Sequence, residues 1–206
     1  MNNALLMQHV YGGTDYVNLL KITAGRNLDY CLAHKFDFEM IVNDELPAAI
    51  NQCGDWAKVH MIRAAMDAPY KFIVYLDPDT VIVDMNADLR DGCPLDKIGM
   101  CRHILTNPPY TIYLDHLNVG AIYISNCEAT RAFVDRWLAG YPGTQEPPWW
   151  EQGVMARIND GTVVEIDAKW NATGKVNPSP NPVVLGFHGQ GDVRQRFNDM
   201  CKAIGK

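Results

Sequence analysis

The chain has 206 residues, 48% of them hydrophobic and 20% charged, with a formal net charge of −6. That composition excludes a disordered chain, and the acidic balance argues against a nucleic-acid backbone as the main partner. A domain of this length buries roughly 70% of the surface its unfolded chain exposes, so neither a disulfide nor a structural metal is needed for folding.

Short apolar runs alternate with helical patterns. Ala4–Val10 reads as the first strand. Asp15 to about His34 reads as a helix with Thr14 as N-cap, and Leu20, Ala24, Leu28 and Leu32 share one face at i, i+4 spacing. Glu39–Val42 is a second strand, Asp55 to about Met66 a helix capped by Asp55, and Phe72–Leu76 a third strand. This β-α-β-α-β series predicts an α/β fold whose central sheet is mostly parallel and flanked by helices. Beyond residue 84, Ile98–His103 reads as a strand. Residues 104–116, with two prolines and two tyrosines, read as a loop or flap. Val119–Ser125 is a strand, and Cys127–Ala139 a helix with Asn126 as N-cap and Gly140 as its stop. Residues 141–149 read as a loop and Trp150–Asn159 as a short helix. Val163–Ile166 and Val183–Phe187 are late strands separated by an Asn/Pro-rich loop. On the i, i+4 face of their helix, Phe133 and Trp137 are core residues. The pattern predicts one domain, with residues 1–84 as one half and 85–206 as the other.

The six cysteines (Cys31, Cys53, Cys93, Cys101, Cys127 and Cys201) are scattered, with no C-x-x-C pair, and read as structural thiols of a reducing compartment. No segment reaches transmembrane length and no signal peptide is evident, which predicts a soluble, cytoplasmic protein. In that setting the sequon Asn171-Ala172-Thr173 reads as chance.

The run KFIVYLDPDTVIVD at 71–84 sets Asp77 and Asp79 at the carboxyl end of an apolar strand, where ligands of open α/β sheets sit. Two carboxylates this close repel, and burying them uncompensated costs several kcal/mol. A divalent cation removes the conflict, and Mg²⁺ or Mn²⁺ typically binds one or two carboxylates plus substrate phosphates. The pair therefore reads as a metal–diphosphate site, with a solvated D-P-D turn as the alternative. VVLGFHGQGD at 183–192 again drives an apolar strand into a polar end, at His188. Gly189 and Gly191 there permit close backbone approach. His188 is a candidate third ligand, or a donor to a phosphate. An imidazole beside two carboxylates moves the preference toward Mn²⁺.

The ordered set R-N-x-x-Y-x-x-x-H (Arg26, Asn27, Tyr30, His34), W-x-K (Trp56, Lys58), L-D-P-D, L-N-V-G-A-I-Y-I-S-N (117–126), W-W-E-Q-G (149–153) and F-H-G-Q-G (187–191) resembles the GT-A-fold glycosyltransferases, more closely the retaining α-galactosyl- and α-xylosyltransferase group. The resemblance covers roughly residues 4–192. It implies a nucleotide-diphosphate sugar donor, usually a UDP-sugar, held through its diphosphate by a metal on Asp77, Asp79 and His188. The acceptor would be a glycan or other hydroxyl. In this likeness Lys58 assists the departing phosphate, and Gln152 faces the anomeric carbon with Glu151 as the alternative. Asn118, Gly120 and Gly189 are substrate-binding positions. His9, Val10 and Tyr11 sit where base and ribose bind, and Tyr11 would stack on uracil. Trp149 and Trp150 form either an acceptor platform or core. Eukaryotic members usually carry a membrane anchor before the first strand, so a strand starting at about residue 4 points to a soluble bacterial or viral enzyme.

Two other readings stay open. V-Y-L-D-P-D-T (74–80) also fits the first motif of haloacid-dehalogenase-type phosphatases, with Asp77 as nucleophile and Asp79 as acid/base. The motif stands there on the first strand, whereas two β-α units precede it here. The second is a GT-A domain that binds a sugar nucleotide without turnover.

Overall fold

The computed structural model describes residues 2–11, 14–43, 54–107, 112–141, 150–174, 176–188 and 192–205. The first half forms in the order read from the sequence: β1 (Ala4–Tyr11), α1 (Thr14–His34), β2 (Asp37–Asn43), α2 (Ala57–Met66) and β3 (Phe72–Leu76). β1 lies between β2 and β3 and parallel to both. Beyond β3 come β5 (Ile98–Asn107), β6 (Ile112–Leu117), β7 (Ala121–Ser125) and β8 (Val163–Ile166). The sheet order is β2-β1-β3-β7-β5-β6, with β8 parallel to β5. The sheet is thus parallel across its first three strands, and β7 turns it antiparallel. Because β7 runs backwards, its start meets the carboxyl ends of β1 and β3, so that Asp77 N–H donates to Gly120 C=O at 2.8 Å.

Strand alternation divides the core in two. Leu5, Met7, Ile73, Tyr75, Ile122 and Ile124 face α2, α3 (Glu128–Leu138) and α4 (Trp150–Ile158), where Phe133 and Trp137 are fully buried. Ala4, Leu6, Val74, Leu76, Ala121 and Tyr123 face the opposite side, with Tyr30 of α1 and Trp170. The last α-helix is α5 (Val193–Ala203). Its Met200 joins Leu19, Ile22, Val81 and Phe187 in a third, small cluster.

Four local expectations are corrected. Leu20 is buried as read, but Leu28 and Leu32 are 48% and 73% exposed; beside Leu20 the buried stripe of α1 runs through Leu19, Thr23, Asn27 and Tyr30. That stripe is partly polar because its side-chain donors find acceptors inside the protein, although Asn27 Oδ1 is buried without a partner. Asn27 donates to Gln8 Oε1 (2.6 Å), and Thr23 donates to the same oxygen (3.4 Å). Residues 104–107 and 112–116 are strand rather than loop or flap: β5 and β6 pair antiparallel across Arg102–Asn107 and Ile112–Leu117. Pro108 and Pro109 lie outside the described residues. Asp55 lies in the 3₁₀ turn Gly54–Trp56 that leads into α2, and Trp56 is the N-cap. Cys127, not Asn126, caps α3; Asn126 ties the end of α2 to the sheet by donating to Met66 and Tyr70 carbonyls. The loop read at 141–149 lies, from 142 on, outside the described residues. Cys31, Cys93, Cys101, Cys127 and Cys201 form no disulfide, and Cys53 is outside the described residues.

A late strand read at Val183–Phe187 and a short one absent from the sequence reading together place the site. β4 (Thr80–Ile82) and β9 (Val184–Gly186) form a two-stranded antiparallel ribbon, with Thr80 opposite Gly186. Phe187 N–H then donates to Asp79 C=O at 2.9 Å. Three of the R-N-x-x-Y-x-x-x-H residues of α1 (Arg26, Tyr30 and His34) grip the chain leaving this ribbon. Arg26 donates to the Ile82 and Val83 carbonyls (2.6 and 3.1 Å). Tyr30 donates to Ala87 C=O and accepts from Leu89 N–H, both at 2.8 Å. His34 Nε2 lies 2.9 Å from Met85 C=O. That motif is therefore a clasp that fixes the segment following the two acids.

Candidate functional site

The ribbon brings His188 to the two aspartates across more than a hundred residues of sequence. One potential ligand atom from each of Asp77, Asp79 and His188 lies within 4.8 Å of the others. His188 Nδ1 is 3.1 Å from Asp79 Oδ1, while Nε2 faces Asn171 Oδ1 at 3.2 Å. Asn171 in turn donates to Asn118 Oδ1 (3.0 Å), which also accepts from Gly120 N–H (2.9 Å). This amide chain orients the imidazole in the manner of an outer-shell partner. Gly120 and Gly186 form a slot for the ring, since a Cβ at either would fall inside its van der Waals surface. Burial works against charge on His188, but Asp79 outweighs it and raises the imidazole pKa. Burial likewise opposes ionisation of Asp79, yet His188 and Arg196 hold its carboxyl below the usual range. Two carboxylates and an imidazole fit Mn²⁺ or Mg²⁺.

Asp77 is held from the other side. Lys58 Nζ lies 2.9 Å from Asp77 Oδ1 and 3.5 Å from a Glu151 oxygen, and Lys58 is 4% exposed. Burial favours the neutral amine, but Asp77 and then Glu151 outweigh it and keep the ammonium charged. Tyr75 Oη donates to Asp77 Oδ1 (2.9 Å) and lies 2.6 Å from His9 Nδ1. A single hydroxyl proton serves Asp77, so the histidine N–H supports the tyrosine oxygen. Burial pushes Glu151 up to about 7, with Asp55 and Asp77 adding to the shift and Lys58 opposing it.

Two adjoining clefts share Asp55, Lys58, Asp77 and His188 as walls. One, of about 380 Å³, is also lined by His9, Val10, Tyr16, Asp79 and Arg196. The other, of about 280 Å³, is lined by Asn118, Gly120, Glu151, Gln152, His103 and His116. Gln152 Oε1 accepts from Val119 N–H at 3.3 Å. The expected site residues Lys58, His9, Val10, Asn118, Gly120, Glu151 and Gln152 thus gather around the Asp77–Asp79–His188 centre. Tyr11 ends β1, and its side chain lies outside the described residues, as do Trp149 and Gly189. Trp150 starts α4 and packs against the larger core cluster; it lines neither cleft.

Arg196, Asn171, His103 and His116 were not read from the sequence. Arg196 carried no local signal, and its NH1 donates to Asp79 Oδ2 at 3.0 Å. Asn171 had a misleading one: the sequon asparagine is fully buried, with its side chain committed to Asn118 and His188. His103 and His116 are opposite each other on β5 and β6. Burial, then the neighbouring His188, lowers His103 to about 3, so it is a neutral imidazole.

Known proteins agree with this geometry. Residues 5–116, more than half of the chain, match the galactosyl transferase GMA12/MNN10 family. Galactomannan galactosyltransferase 1 of Cyamopsis tetragonoloba is 29% identical over 146 residues, 68% of this chain and 32% of that protein. Probable xyloglucan 6-xylosyltransferase 1 of Oryza sativa subsp. indica is 29% identical over 148 residues, 68% of this chain and 31% of that protein. The chain therefore spans about a third of the length of these curated relatives. Among solved structures, a glycosyltransferase involved in the glycosylation of the major capsid of PBCV-1 superposes with a TM-score of 0.68 at 16% identity, covering 96% of this chain and 98% of that one. Mouse xyloside xylosyltransferase 1 gives 0.52 at 12% identity, covering 93% and 99%. These likenesses show a GT-A fold. Among the described residues no helix is long and apolar enough to cross a membrane. With a matching fold, the clustered acids and a family pattern spanning β1 to β6, the chain belongs to the galactosyl transferase GMA12/MNN10 family.

Proposed function

We propose that the chain is a metal-dependent glycosyltransferase that moves a hexose or pentose from a UDP-sugar to a hydroxyl of a glycan or other acceptor, with retention of configuration. The convergence of Asp77, Asp79 and His188 within 4.8 Å carries this reading. Relatives named for galactosyl and xylosyl transfer support a hexose or pentose. Residues 1–84 supply the nucleotide side and 85–206 the acceptor side. Mn²⁺ or Mg²⁺, bound there, would offset the negative charge that grows on the leaving diphosphate. With Asn171 accepting the Nε2–H of His188, the nitrogen that would turn to the ion on giving up its proton is Nδ1, on the side of Asp79. Lys58 holds Asp77 in place and sets a second cation beside the departing phosphate. Asn118 and Gly120 border the sugar. Gln152 lies against it as an amide, which stabilises an oxocarbenium-like state while the acceptor attacks from the leaving-group side. Glu151 is engaged by Lys58, which favours Gln152 as the residue facing the anomeric carbon.

The phosphatase reading loses ground, because the D-x-D follows the third strand rather than the first and lies within the family match. Incubation with UDP-galactose or UDP-xylose and Mn²⁺ tests the proposal. Slow metal-dependent UDP release is expected from wild type, and none from Asp79→Ala. Phosphate release from p-nitrophenyl phosphate would refute it, and UDP binding without turnover under every donor would leave only a binding domain.

A further inference from the structure

Arg196 enters the larger cleft from α5, one helical turn before Met200, which plants that helix in the third apolar cluster. Its NH1 holds Asp79 Oδ2 at 3.0 Å, and its Nε is buried without a hydrogen-bond partner. Both oxygens of Asp79 are therefore engaged, one by His188 and one by a guanidinium. A guanidinium does not lose its proton in a protein, so it gives up Asp79 only by exchange for another anion. Its planar fork matches phosphate oxygens, and the unused Nε–H is a donor with no present use.

We infer that Arg196 is a diphosphate-binding residue of the donor cleft, and that without a donor it occupies Asp79 in competition with the divalent ion. This rests on the ion and sugar-nucleotide reading above. The ion and the arginine share one carboxylate until a diphosphate takes the guanidinium, so each of ion and nucleotide binds better with the other present.

Titration of Mn²⁺ followed by the EPR signal of the free ion, with UDP affinity measured by calorimetry, tests this on wild type and Arg196→Gln. Without UDP, the glutamine variant should bind Mn²⁺ about tenfold more tightly, equivalent to about 1.4 kcal/mol. In saturating Mn²⁺ its UDP affinity should fall by about tenfold or more. These opposite signs separate exchange from a structural role, which would weaken both. They also separate it from a bystander charge, which would tighten Mn²⁺ and spare UDP. Arg196→Lys keeps the charge without the fork; its UDP affinity in Mn²⁺ should fall too, which carries the test if the glutamine variant does not fold. Unchanged or weaker Mn²⁺ binding by Arg196→Gln, or unchanged UDP affinity in either variant, overturns the inference alone. No Mn²⁺ binding by wild type overturns the proposed function with it.

Discussion

Tyr30→Phe isolates the clasp from the chemistry. The substitution removes one oxygen and leaves the ring, which stacks on His34 with centroids 4.3 Å apart. The lost hydroxyl serves two backbone groups, Ala87 C=O and Leu89 N–H, each at 2.8 Å. A buried backbone group without its partner costs about 1–3 kcal/mol. Leu89 is fully buried and bears that cost, whereas Ala87 is half-buried and recovers part of it from water. The sum is about 2–3 kcal/mol. For a chain of this size each kcal/mol moves Tm by about 2–4 °C, so a fall of about 5–10 °C is expected in a metal-free thermal melt. Mn²⁺ and UDP affinities measured at 10 °C should stay within about threefold of wild type, because no ligand atom is altered. A Tm shift under about 1 °C would refute the clasp. An unchanged melt with Mn²⁺ binding lost would show instead that Tyr30 acts on the site directly.

Gly120→Ala should put a methyl group into the His188 slot and weaken Mn²⁺ binding by about tenfold or more, read by the same EPR titration. Gly25→Ala on α1, where an added methyl meets nothing within 4 Å, is the control and should raise Tm slightly. Gln152→Ala should cut donor turnover by about a hundredfold while UDP affinity in Mn²⁺ changes little; turnover that survives would move the catalytic position elsewhere. The folded pKa of Glu151, about 7, lies above its unfolded value near 4.5, so its contribution to stability is fully present below about pH 4.5 and is lost as pH rises through 7. Metal-free denaturation curves of wild type should therefore lose up to roughly 3 kcal/mol against Glu151→Gln between pH 4.5 and 8. Parallel pH profiles would contradict this.

Local pattern carried the first half of the fold. β3 has the bounds read from its apolar run, and Asp77 stands at its end, because a buried strand with a polar terminus is written in consecutive residues. The buried face of α1 was misread because leucines outrank Thr23, Asn27 and Tyr30 on any hydrophobicity scale. Those polar side chains are inside only because Gln8, Ala87 and Leu89 receive them, partners that lie far along the chain. The apolar run at Val183–Phe187 marked β9, but its partner β4 has three residues, too short for periodicity to mark, so the ribbon was missed. Arg196 and Asn171 owe their roles to neighbours 117 and 17 residues away, Asp79 and His188. His188 was legible from its own segment, an apolar strand that ends in a histidine and two glycines, and the ordered motif added its partners.

The pairing of Thr80 with Gly186 has a kinetic corollary. Closing so long a loop is entropically slow, and the main sheet needs no residue past Ile166 to form. Ion capture therefore reports the last event of folding: in a refolding sample, Mn²⁺ uptake should lag behind the recovery of sheet structure, and a chain ending before β9 would regain its sheet yet never take up the ion.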